Sequence, residues 1–276
     1  MKSFLQKPPA NTARKTTSAV HLSVLAALAA GTGLLHADPI PVPNGSFETQ
    51  SGVGQPFGVN INVDDWQKQD RPAYFPESGY NGFYWVQTAG NFLNPASGQG
   101  RVLNAVGAQA EYVLSFPGAG LFQDYNATDW TGTTHAFTAT YQAGKSYELT
   151  AGIFGESVND GAILQLSMYY RDALNSMVTV GTPNTIIYHA ADFPYSAGGA
   201  FNLIDFSAEV PVVQAGDAWA GQHIGINVVV FSGDTTNQWV LDNVRLTEAP
   251  EPTTLGLLAF GLGGLMRRRP RARREV

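Results

Sequence analysis

The feature that most restricts this chain is a period of two. In SYELTAGIF (146–154), Tyr147, Leu149, Ala151 and Ile153 share one face of an extended strand, because successive side chains point to opposite sides. In HIGINVVVF (223–231), Ile224, Ile226, Val228 and Val230 do the same. No long segment between the termini carries a clean helical period, so the domain cannot be built around amphipathic helices. Further strand candidates are RVLNAV, AEYVLSF, HAFTATY, AILQLSMYYR, NTIIYH, LIDFSAEVPVV and WVLDNVRLT. HAFTATY is expected to form a hairpin with SYELTAGIF across Gln142-Ala143-Gly144-Lys145, and Asn159-Asp160-Gly161 marks another turn. About nine or ten short strands with regular turns predict an all-β antiparallel sandwich, most simply a jelly roll. Residues 52–100 differ, being loop-like and rich in aromatics.

The two ends follow other rules. Residues 1–18 carry Lys2, Lys7, Arg14 and Lys15 without an acid, and 19–35 are apolar. A small residue, Ala37, then precedes a polar start, the pattern of a signal peptide spanning 1–37. An uncleaved N-terminal helix is the alternative, since Leu35 is large for its place before the cut. At the other end, Leu255 to Met266 form a short apolar helix segment ahead of six arginines, Arg267, Arg268, Arg269, Arg271, Arg273 and Arg274. About a dozen residues make roughly 18 Å of helix, short of a bilayer core of roughly 30 Å. The segment suits transient inner-membrane association, with the arginines on the cytoplasmic side.

Charge limits the partners. Between the two tails (38–249) stand six basic and twenty acidic side chains, a net charge near −14. Such a domain repels nucleic acid and anionic lipid, so the terminal arginines are not read as a nucleic-acid site. The acids serve solubility or hold a hard cation such as Ca²⁺. The chain has no cysteine, so an exported domain of this size relies on its core, with or without a metal.

Two resemblances sharpen this. Pro250-Glu251-Pro252, the apolar segment and the arginine cluster (249–276) resemble the PEP-CTERM sorting signal of Gram-negative bacteria. The resemblance implies export, recognition by exosortase, processing near Pro250, Glu251 and Pro252, and an end at the cell surface or in the extracellular matrix. The opening PVPNGSFET and the closing LDNVRL resemble the galactose-binding-like jelly rolls, which include carbohydrate-binding modules. YQAGKSYELTAGIFG looks like a strand start common in that group. This second resemblance implies neighbouring first and last strands and a structural Ca²⁺ held by Glu48 and Asp242. The competing role for those carboxylates is to bond backbone groups at strand ends.

Flat aromatic rings beside amides and carboxylates are what a polysaccharide site needs. YNGFYWVQ (80–87) has that composition, and alternation would put Phe83 and Trp85 on one face and Tyr84 and Val86 on the other. Tyr84, Trp85, Trp66 and Trp130 are therefore the candidate ligand-binding rings, with core packing the competing role, most strongly for Trp66. No nucleophile-elbow, zinc-protease or phosphate-loop pattern occurs. The three histidines of the middle region, His135, His189 and His223, are widely spaced. The expectation is a non-catalytic module for extracellular polysaccharide, with a structural or adhesive matrix protein as the alternative and a glycoside hydrolase behind both.

Overall fold

The computed structural model describes residues 37–49, 59–134, 137–233 and 236–250. Residues 1–36, most of the expected signal peptide, and residues 251–276, most of the expected sorting segment, lie outside the described residues. Among the described residues there are fourteen strands: β1 (Asp38–Ile40), β2 (Val59–Asn60), β3 (Gln67–Lys68), β4 (Ala89–Leu93), β5 (Val102–Leu103), β6 (Gln109–Leu114), β7 (Gly120–Gln123), β8 (Lys145–Glu156), β9 (Ile163–Arg171), β10 (Met177–Ile187), β11 (Phe201–Asn202), β12 (Ile204–Val210), β13 (Gly225–Ser232) and β14 (Gln238–Pro250).

Twelve of them form one antiparallel sheet in the order β2-β4-β6-β14-β8-β12-β10-β9-β13-β7-β3, with β1 added to β14. The sheet folds on itself at β10. That strand pairs with β9 along its length and with β12 only through Thr182 and Glu209. The register breaks between Val180 and Asn184 at this corner, as a bulge that bends a strand requires. Gly181 sits in the break at φ +70°, and a Cβ there would collide with the Glu209 carbonyl. The outcome is the all-β, jelly-roll sandwich that the strand pattern predicts. One layer is β2-β4-β6-β14-β8-β12 and the other β10-β9-β13-β7-β3.

The alternating rows supply the core between the layers. Tyr147, Leu149, Ala151 and Ile153 of β8 are buried, as are Ile224 and, from β13, Ile226, Val228 and Val230. β1 lies against β14 with Asp38 opposite Glu248, so the first and last strands are neighbours. The expected hairpin of HAFTATY with SYELTAGIF does not form. Both edges of β8 are taken by longer ladders, to β14 and β12. The 139–141 stretch turns instead to 222–224, where Ile224 N–H donates to the Ala139 carbonyl and Tyr141 N–H to the Gln222 carbonyl.

Candidate aromatic cavity

A cavity of about 410 Å³ opens beside the short strand β3. Trp66, Gln67 and Lys68 line it from β3 and the residue before it, Val86 from one side, and Asp129 and Trp130 from another. Two of the four candidate rings therefore meet in one place. Trp66 is 1% exposed and forms floor. It packs on Phe47 at 5.5 Å between ring centroids, and its indole N–H donates to the Asn44 carbonyl. Trp130 is 54% exposed and forms rim. Its indole N–H donates to Asp64 Oδ1 at 2.7 Å.

The segment carrying Trp130 is a compact turn. Asp129 Oδ1 accepts the backbone N–H groups of Thr131 and Thr133 and the Thr131 hydroxyl. Gln67 reaches across to accept the Thr128 N–H. The ring is thus mounted on a braced loop, an arrangement that lowers the entropy cost of holding a ligand.

Lys68 supports the opposite wall. Its ammonium donates to three carbonyls, those of Ile61, Val86 and Ala89, the last at 2.7 Å. Burial pushes its pKa down to about 8, against the pull of Glu111 toward the charged form. The three carbonyl acceptors satisfy an ammonium and not an amine lone pair, so Lys68 is held as a cation and as a structural tie. Glu111 enters the same interior from β6 and is fully buried. Burial drives its pKa well above the carboxylate range, with Lys68 offsetting this in part.

The remaining candidates lie elsewhere. Tyr84 and Trp85 stand at the start of a single 3-10 turn (Trp85–Gln87), not on a strand. The burial split expected from alternation still holds: Tyr84 and Val86 are exposed, whereas Phe83 and Trp85 pack on the core. Trp85 meets Phe75 edge-on at 5.0 Å and donates its indole N–H to the Gln69 carbonyl. That engagement makes Trp85 a packing residue. Tyr84 is absent from the cavity lining, which takes Val86 instead. Sequence reasoning missed Lys68 and Val86, although Lys68 is one of only six basic residues between positions 38 and 249.

Glu48 and Asp242 converge on one loop. Glu48 Oε1 accepts the N–H groups of Ala108 and Gln109, and Asp242 accepts those of Val106 and Asn243. They thus bond backbone groups, as their competing role requires. Burial raises the Asp242 pKa to about 7, and the charge of Glu48 adds to the rise while backbone N–H groups oppose it. Two oxygen-bearing side chains whose charges repel suit a hard cation. Among the described residues, no group of three or more His, Asp or Glu side chains is gathered for a metal.

No family model matches the chain, and no curated protein matches it in sequence. Solved structures are similar to it in fold. A cyclase from Fischerella sp. TAU superposes with a TM-score of 0.54 at 18% identity, over 79% of this chain and 100% of the cyclase. The apo form of a cyclase from Fischerella sp. gives 0.54 at 17% identity, over 79% and 98%. The chain shares its fold with these cyclases. The CBM22-1 xylan-binding domain from Paenibacillus barcinonensis also matches, at a TM-score of 0.36 and 8% identity over 69% of this chain and 89% of that domain.

Proposed function

We propose that the protein is a non-catalytic polysaccharide-binding module, and that the Trp66–Trp130 cavity is its binding site. The observation that carries this is the pairing of a buried tryptophan floor with an exposed tryptophan rim braced by Asp64. An exposed ring offers its face to the apolar side of a sugar, and the neighbouring amides and carboxylates meet hydroxyls. The cavity's one cation, Lys68, spends its protons on backbone carbonyls. It is thereby poorly placed for acid–base work, and the alternative hydrolase reading would have to use the carboxylates Asp64 and Asp129. Screening the mature protein against neutral polysaccharides tests the reading: saturable binding lost in Trp130→Ala supports it. Product formation from any bound saccharide would replace it with the hydrolase reading.

The setting proposed for this module comes from the termini. A signal peptide over 1–37 and the PEP-CTERM-like segment support export, exosortase sorting and display at the surface or in the matrix of a Gram-negative bacterium. β14 ends at Pro250, the first proline of the Pro-Glu-Pro motif. Mass spectrometry of protein recovered from the native host should show a C-terminus shortly after Pro252. An intact Val276 at the surface would contradict the sorting.

Calcium is proposed as a structural support, held by Glu48 and Asp242. When bound it would neutralise two repelling carboxylates and tie the first residues of the domain to its last strand. Thermal unfolding with calcium and with a chelator tests this. A higher midpoint in calcium that disappears in Asp242→Asn supports it, and identical midpoints would refute it.

A further inference from the structure

A second cavity, of about 260 Å³, lies close to the first and belongs to no candidate identified from the sequence. Its floor is a patch of sheet. Phe92 of β4, Tyr112 of β6, Gln238 of β14 and Glu156 of β8 come from four consecutive strands of one layer. The register places them on a single face: Gln238 stands opposite both Leu114 and Glu156, and Phe92 stands opposite Ala110, which shares its parity with Tyr112. This is the face opposite the core-facing row of β8, because Leu241, which stands opposite both Ile153 and Glu111, shares its parity with Trp239 and not with Gln238. Phe201, stacked on Phe154 at 5.0 Å, and the loop carrying Gln99 wall it in. Gln238 donates to Glu156 Oε2 at 2.6 Å, setting an amide–carboxyl pair among aromatic rings. That is the same mix of flat apolar surface and hydrogen-bonding groups as in the first cavity.

The two cavities are joined by a short bridge. Val59 lines the second and Ile61 the first, two residues apart and hence about 7 Å along an extended chain. Tyr112, in the second, donates its hydroxyl to the Gln87 carbonyl, next to Val86, which lines the first. Val59 and Val86 are both more than half exposed. An exposed apolar side chain therefore stands at the rim of each cavity.

We infer that the second cavity is a further subsite for the same ligand, so that the protein grips the interior of a linear neutral polysaccharide across both cavities and not a chain end in one. The inference rests on the saccharide reading of the Trp130 cavity. Neutrality follows from charge. The mature domain carries a large negative excess, Asp64 and Asp129 stand beside Trp130, and Lys68 is turned onto backbone carbonyls. A polyanion would be repelled. A chain that occupies two linked subsites gains from their effective concentration, so its affinity rises with length.

The test is calorimetric titration of the mature protein with soluble ladders of two to eight residues, from neutral β-1,4-linked glucose, xylose and mannose polymers. For the ladder that binds, affinity should rise at least tenfold from the disaccharide to the hexasaccharide. Gln238→Ala and Glu156→Gln should remove most of that gain and leave the disaccharide affinity intact, whereas Trp130→Ala should weaken every length. Thermal unfolding of each variant shows that the fold is kept. Length-independent affinity, or equal weakening of all lengths by Gln238→Ala and Glu156→Gln, would overturn the second subsite and spare the first. Absence of binding across all three ladders would overturn the saccharide reading itself.

Discussion

The indole N–H of Trp130 donates to Asp64 Oδ1 at 2.7 Å, across 66 positions of sequence. This bond fixes the plane of an otherwise exposed ring at the mouth of the cavity. Asp64→Ala should leave the ring in place only part of the time. Binding to the best neutral polysaccharide should weaken severalfold, with an unchanged unfolding midpoint. Tryptophan fluorescence titration reads both the affinity and the ring's environment. A variant that binds as well as the wild type would show that the bond does not position the ring.

Trp66 should behave in the opposite way, as a core residue first. It is fully enclosed and packed on Phe47. Removing a buried indole costs about 3–5 kcal/mol through lost burial and the cavity left behind. Urea unfolding of Trp66→Ala is expected to show a loss of that size, and Trp66→Phe a smaller one.

Gly90 is a tight point of the seam between the two cavities. A Cβ there would fall 2.5 Å from the Asn60 carbonyl oxygen and 3.0 Å from the Tyr112 ring and hydroxyl. Gly90→Ala must push Tyr112 or the β2 segment outward. A loss of about 1–3 kcal/mol is the scale for such overpacking. The oligosaccharide-length dependence should shrink together with it. Chemical denaturation and the titrations above check the two effects.

Glu111 gives the domain a pH dependence. Its carboxyl is fully buried, and burial holds its pKa well above 4.5 against the opposing pull of Lys68 and of the Gly90 backbone N–H. The folded state therefore keeps a proton that the unfolded chain releases. Its contribution is fully present below about pH 4.5 and is lost as pH rises through the folded value, at no more than about 1.4 kcal/mol per pH unit. Glu111→Gln keeps the shape and removes the titration. The wild type should lose stability from pH 5 to pH 8 more steeply than this variant in urea melts. Parallel pH profiles would contradict the assignment.

The fold was legible where side chains alternate. The buried rows of β8 and β13 stand in the sequence as Tyr147-x-Leu149-x-Ala151-x-Ile153 and Ile224-x-Ile226-x-Val228-x-Val230. It was not legible where strands are too short to show a period. β2, β3 and β11 have two residues each. β7 is buried on both faces, so Gly120 to Gln123 carry no alternation at all. HAFTATY alternates well enough, yet its partner was fixed by competition for the edges of β8, which local pattern does not record. The site was half legible. Trp66 and Trp130 are visible as aromatics beside acids. Their meeting depends on β3 pairing with β7, where Lys68 lies opposite Leu121. The role of Lys68 depends on carbonyls from three separated segments. Composition favoured Tyr84 and Trp85 equally, and only packing distinguishes an exposed Tyr84 from a Trp85 held against Phe75.

The proposed function stands on polysaccharide binding at the Trp130 cavity. The measurement that tests it most directly is calorimetric titration of the mature wild type and of Trp130→Ala with the neutral exopolysaccharide of the native host. The account predicts saturable binding by the wild type and about a tenfold weaker affinity in the variant, roughly 1.4 kcal/mol, with both proteins equally stable. Equal affinity of the two proteins, or no heat of binding from a folded wild type, would contradict it.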